Sequence, residues 1–239
     1  MIIDAHVHLG KFPQTRIEGN PQTLIKIADK LGIDKLCASS FKAIAYDFYE
    51  GNKDLLEAVR EFPGRIYGYV TVNPRFGDEA VEEVRKYIGQ QGMVGIKLHA
   101  EIQGYPGNDP CVYPVMEEAA KLDVPVKIHA ETDETDQLAD RFPDVTIIMC
   151  HMGGGGDWLK GIRTAKRRGN VILDTTSSCT DVGMVEEAVA AIGPERVVYG
   201  SDMPLLNPIA QLAKVQTADV DEDAKQKIMG ENIAKILKI

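Results

Sequence analysis

Short apolar runs alternate with longer amphipathic ones along the chain. The short runs are IIDAHV (2–7), DKLCAS (34–39), RIYGYVTV (65–72), GMVGIKLH (92–99), VPVKIHA (124–130), VTIIMCH (145–151), NVILDTT (170–176) and RVVYGSD (196–202). Each is rich in β-branched residues, is bounded by Gly, Pro, Asp or Asn, and is apolar at nearly every position rather than at alternate ones. That pattern predicts strands buried on both faces, as in a parallel sheet covered by helices. Between them lie runs of helical period. PQTLIKIADKLG (21–32) spaces Leu24, Ile27 and Leu31 on one face and stops at Gly32; NKDLLEAVREFPG (52–64) groups Leu55, Leu56 and Val59 and stops at Pro63-Gly64. GDEAVEEVRKYIG (77–89) opens with acids and closes with Arg85 and Lys86, the arrangement a helix dipole favours. Helical runs continue at 112–123, 133–142, 158–169, 181–193 and 221–239.

Strand followed by helix, eight times over, predicts an α/β fold of the (β/α)8 TIM-barrel type, one domain over residues 1–239. An open doubly wound sheet is the alternative. It commonly places a glycine-rich phosphate loop after its first strand, and HVHLGKFP is not one.

The polar residues fall in register with this plan. The five histidines, His6, His8, His99, His129 and His151, all stand at the C-terminal ends of predicted strands, and Asp202 takes the same place after the eighth. In a parallel barrel those ends converge on the face where active sites are built. His6 and His8, two residues apart, share a strand face and can ligate one ion. A set of imidazoles and a carboxylate suits Zn2+ best, with Mn2+, Fe2+ or Co2+ as alternatives. Asp4 and Asp174 are candidate supporting acids for these ligands. Lys97 shares a face with His99, and Lys127 with His129. Two buried cations on neighbouring strands need acids, and Asp4 and Asp174 are the expected partners; carboxylation of Lys97 into a bridge between two metals is the other option.

Composition narrows the rest. The net charge of −9 comes from 27 basic and 36 acidic residues, which argues against a nucleic-acid partner. No apolar run approaches the length of a membrane span. Four scattered cysteines form no CxxC pattern and, with no secretory signal read at the start, predict free thiols at Cys37, Cys150 and Cys179 and a cytoplasmic location. A small-molecule substrate and a homodimer are the expected partners.

DAHVH, GIKLH, VPVKIHAET, FPDVTIIMCHMGG, NVILDTTS, RVVYGSDMP and IMGENIAKIL, in this order, resemble the amidohydrolase superfamily. The closer resemblance is to its amidohydrolase-2 branch, which holds aminocarboxymuconate-semialdehyde decarboxylase-like enzymes, γ-resorcylate decarboxylase and various hydrolases. The resemblance implies a barrel with one catalytic divalent metal held by His6, His8, His129 and Asp202. It implies that His151 acts on water or substrate together with Asp202. In binuclear relatives the position of Lys97 bridges two ions, leaving Lys97 and His99 as candidate substrate or second-metal residues.

The chain lacks the long insertions of the decarboxylases. That favours a compact metal-dependent hydrolase acting on an ester, lactone or amide of a small metabolite. A non-oxidative decarboxylase or lyase of a small unsaturated or aromatic acid is the second reading, and a non-catalytic metabolite-binding barrel the third.

Overall fold

In the computed structural model, described for residues 1–13, 15–90, 92–153, 157–178 and 181–239, all eight predicted strands form. They are β1 (Ile3–Lys11), β3 (Lys35–Ser40), β4 (Ile66–Thr71), β5 (Met93–His99), β6 (Val126–His129), β7 (Ile147–Met149), β8 (Val171–Asp174) and β9 (Val197–Val198), with a two-residue antiparallel addition, β2 (Glu18–Gly19). The strands lie in one curled sheet in the order β2-β1-β3-β4-β5-β6-β7-β8-β9, parallel from β1 onward.

The closed barrel expected from the sequence is met in part. No regular ladder joins β9 to β1. The seam is spanned instead by single contacts: Ala5 N donates to Tyr199 O at 2.9 Å, His8 N to Met203 O at 2.9 Å, and Asp202 N to His6 O at 2.7 Å. The β9 strand is only two residues long, and the chain turns into left-handed geometry four residues beyond it, at Asp202 (φ 59°).

The alternation along each strand sorts its side chains into two sets. Ile96 and Leu98, Val126 and Ile128, and Val171 and Leu173 pack outward under the helices, in the large core cluster. Ile3, Ala5, Cys37, Tyr69, Ile148, Ile172 and Val198 fill the interior, closed by Ile233 and Leu237 of the last helix. In β1 a register shift between Asp4 and Val7 changes the phase, so Ile3 and Ala5 face inward while Val7 and Leu9 face the helices.

The helices begin and end where local chemistry dictates. Asn20 caps Pro21–Leu31, accepting from Thr23 N at 3.0 Å, and Gly32 ends it in the left-handed conformation (φ 69°). The helix expected from residue 52 starts earlier, at Phe48, because Asp47 caps it. Phe41–Ala45, Ala100–Gln103 and Pro208–Gln216 are helices that the periodicity did not predict. Among the described residues no helix is long and apolar enough to cross a membrane.

Candidate active site

Above the apolar floor of the interior lies a buried charged layer. Lys97 and Lys127 are cross-strand neighbours in register and have 0% and 1% of their surface exposed. Lys127 Nζ sits 3.0 Å from Asp174 Oδ2 and donates to Ala5 O at 2.6 Å. Lys97 departs from expectation: among the described residues it has no carboxylate partner, and its Nζ donates instead to Cys150 Sγ at 3.1 Å. The reason is geometric. The one Asp174 carboxylate is shared between Lys127 and His6, while Asp4 is turned toward backbone amides, accepting from His6 N at 3.1 Å and Ser201 N at 2.9 Å. Burial pushes the Asp4 carboxyl up to about 7.

The histidines stand on this layer. His6 Nδ1 lies 2.6 Å from Asp174 Oδ2. Burial pushes the Asp174 carboxyl up, but the Lys127 ammonium and His6 outweigh it and hold it well below the usual range. The ionised acid therefore fixes the His6 proton on Nδ1 and leaves Nε2 as a lone pair. That lone pair faces His8 Nε2 at 3.2 Å and Asp202 Oδ1 at 3.5 Å, and His8 Nε2 is 3.1 Å from the same oxygen. Ser39 Oγ, 3.1 Å from His8 Nδ1, offers an acceptor that lets His8 keep its proton there and turn its lone pair inward as well. The buried Asp202 Oδ1 has no properly aimed hydrogen-bond donor.

Three acceptors thus converge with nothing positive between them. A buried arrangement of that kind is costly alone and fits a divalent cation. Burial, reinforced by Lys97 and Lys127, lowers the pKa of His6 and His8, and it takes His129 down to about 2. Burial also lowers the pKa of His99 and His151. The imidazoles are held neutral, the form a metal requires.

His151 and Asp202 are both held in left-handed backbone, at φ 57° and 59°. Non-glycine residues in that region concentrate at functional sites. The ligating atoms of His6, His151 and Asp202 lie within 4.8 Å of one another. The His151 ring is 4.9 Å from that of His6 and 4.7 Å from that of His129. His129 stands at the edge of the group: its Nε2 is 3.4 Å from Glu101 Oε2 and its ring stacks on His99 at 4.1 Å. His99 Nδ1 accepts from Ile102 N at 3.4 Å, so its proton is on Nε2.

His8, His99, His129, His151 and Asp202 line a cavity of about 320 Å3 together with Phe12, Phe41, Ile44 and Leu205. The Phe41 ring stacks on His8 at 4.6 Å.

Sequence reasoning missed two residues of the layer below. The sequence gives Cys150 only as a free thiol and does not single out Ser39; the position of Cys150 directly before His151 is the available signal. Cys37, Cys111 and Cys150 are free, and Cys179 lies outside the described residues, as do Gly154, Gly155 and Gly156 of the GGGG segment.

A family model described as "Amidohydrolase" matches residues 3–239. The chain is 24% identical over 292 aligned positions to γ-resorcylate decarboxylase of Rhizobium sp. (strain MTP-10005), covering 95% of this chain and 89% of that protein. It is 30% identical over 78 residues to 2-amino-3-carboxymuconate-6-semialdehyde decarboxylase of Dictyostelium discoideum, a match covering 33% of this chain and 22% of that one. The fold is shared with a dihydroxybenzoic acid decarboxylase from Polaromonas sp. JS666, solved with manganese and 2-nitroresorcinol, at a TM-score of 0.81 and 16% identity over 99% of this chain and 96% of that one.

These relatives overturn the hydrolase expected from the sequence. That expectation rested on missing insertions, and these are indeed absent, since the match to the Rhizobium decarboxylase runs over 292 aligned positions while this chain has 239 residues; what their absence does not do is single out a hydrolase. The comparisons favour the decarboxylase reading instead.

Proposed function

Because the chain belongs to the amidohydrolase family and its relatives are decarboxylases, we propose that it is a metal-dependent, non-oxidative decarboxylase of a small aromatic or unsaturated carboxylic acid. The observation that carries this reading is the convergence of His6 Nε2, His8 Nε2 and Asp202 Oδ1 within 3.5 Å, with His8 and Asp202 lining a cavity that apolar side chains also line. His6, His8, His129 and Asp202 would hold a divalent ion. Zn2+ fits these donors, and so does Mn2+, the ion in the Polaromonas structure. When bound, the ion supplies Lewis acidity toward the substrate's carboxylate and neighbouring oxygens.

The protein's own groups do the rest. Phe12, Phe41, Ile44 and Leu205 take the face and edge of a ring and exclude water. His99 presents Nε2–H to a ring hydroxyl or carbonyl oxygen. His151, held neutral before the substrate arrives, would take up a proton from water as the substrate binds, beside the Asp202 carboxylate that favours its charged form, and deliver it to the ring carbon that bears the carboxylate. The C–H bond forms from the ring's π electrons. The bond to the carboxylate then breaks, its electron pair returns to the ring, and CO2 leaves; water restores the proton to His151. In this reading the single contacts at the seam complete a (β/α)8 barrel, with Asp202 carried on its closing edge.

The test is turnover of a panel of hydroxybenzoates by metal-stripped and Mn2+- or Zn2+-reloaded protein. Loss of the carboxylate only in reloaded protein supports the reading. A reloaded protein that leaves all of them intact and cleaves esters, lactones or amides contradicts it.

A further inference from the structure

A second hollow adjoins the metal cavity. Ile44 and Ile102 line the metal cavity, and both also line this second hollow, of about 420 Å3, on the same face. That hollow is walled by Tyr46, Phe48, Tyr49 and Phe76. Among the described residues eight large apolar side chains are exposed, and four of them gather here: Tyr46 at 67%, Phe76 at 50%, Ile102 at 41% and Tyr49 at 39%. Scattered apolar residues on a surface need no explanation; a group of them in a concavity marks a binding site.

The walls are built, not loose. Asp47 caps the helix that carries Phe48 and Tyr49, and Asn73 caps the turn that carries Phe76. Phe76 meets Phe48 edge to face at 5.2 Å, Phe48 lies 4.2 Å from Tyr49, and the Tyr49 hydroxyl donates to Glu79 at 2.5 Å. Among the described residues no Lys or Arg lines either hollow. The nearby Lys42 is tied to Asp54 instead. The acids at the margin, Asp47 and Glu101, would repel a second carboxylate.

We infer that this hollow is the distal part of the substrate site, and that the substrate is a monocarboxylic acid extended by an uncharged ring or hydrocarbon group. The carboxylate end sits at the histidines, as in the decarboxylase reading on which this inference rests. The extension passes between Ile44 and Ile102 and lies against Phe76 and Tyr46. The shared Ile44 and Ile102, which put the hollow directly beside the metal cavity, favour a small molecule over a second protein surface as the occupant.

The test is calorimetric binding to Mn2+-loaded protein of salicylate and of its 3-, 4- and 5-phenyl derivatives, beside sedimentation of the same samples. At least one phenyl derivative is expected to bind at least about tenfold tighter than salicylate, as burial of a second ring implies. Phe76→Ala and, separately, Tyr46→Ala should bring that ratio close to one; Tyr46 is too exposed for its loss to unfold the chain. No gain from any phenyl group, or no binding of any of these acids, overturns the inference. So does a wild-type dimer that Tyr46→Ala splits, since the hollow is then a subunit interface. The two readings fail separately: tighter, Phe76-dependent binding without CO2 release keeps the subsite and removes the decarboxylase, whereas salicylate turnover with no phenyl advantage does the reverse.

Discussion

His6 Nδ1 and Asp174 Oδ2 are 2.6 Å apart, and the same carboxylate oxygen is 3.0 Å from Lys127 Nζ. One buried acid therefore sets the tautomer of a candidate metal ligand and neutralises a buried cation. Asp174→Asn removes both services. Stability should fall by about 3–5 kcal/mol, the range for breaking a buried ion pair, and metal affinity by about 10–100-fold. Adding Lys127→Met should recover part of the stability but not the affinity, because the His6 proton is still unanchored. Denaturant melts and metal titrations of the two variants beside the wild type check this.

The ligand set predicts a sharp division among single substitutions. His6→Ala, His8→Ala and Asp202→Ala should each lose the ion, because each removes one of three mutually facing acceptors. Ser39→Ala removes only the partner of His8 Nδ1 and should keep the ion with affinity lower by about tenfold. Metal content after dialysis decides it; full occupancy in two of the three ligand variants would remove the assignment.

His151 is expected to act on the substrate more than on the ion. His151→Asn should retain about one metal per chain while turnover drops by roughly 10²–10⁴, the usual loss for a general acid or base. Gly161 provides a second approach. A Cβ at Gly161 would overlap the Met152 carbonyl oxygen, in the turn that carries His151. Gly161→Ala should lower turnover by displacing that turn and leave metal content unchanged.

The strands and the histidine-bearing face were legible because each strand is apolar on both sides and each histidine follows one. Less legible was what depends on contacts between distant strands. Sequence spacing puts Lys97 and Lys127 inside, but only the packed interior decides that Asp174 goes to Lys127 and that Lys97 meets Cys150. The helix Pro208–Gln216 was hidden because its alternating small, polar and apolar residues leave Leu212 and Val215 as its buried apolar contacts. Nor could length discriminate hydrolase from decarboxylase, since the site is formed by strand ends common to both.

Acid should unfold the metal-stripped protein early. His6, His8 and His99 are buried and His129 and His151 half-buried, and all five have pKa values lowered from the ordinary 6.5, His129 to about 2. The unfolded chain therefore binds more protons below pH 6.5, and the histidine contribution, complete above that pH, is lost as pH falls through it. Asp4 works the other way. Its carboxyl, raised to about 7 from 3.8, gives up stability as pH climbs from about 4 to 7. The histidines outnumber it, so stability should rise from pH 4.5 to 6.5 with a net uptake of protons on unfolding. Denaturation midpoints across that range read the slope; a flat or falling profile would show that the imidazoles are not held neutral.

The most direct test of a metal-dependent decarboxylase uses a carboxyl-13C-labelled hydroxybenzoate that the reloaded wild type accepts, incubated in D2O. The account predicts that 13CO2 is released in step with an arene carrying one deuterium at the vacated carbon, and that His6→Ala protein releases none. No labelled CO2 from any hydroxybenzoate, with water instead incorporated into the product of a cleaved ester, lactone or amide, would contradict it.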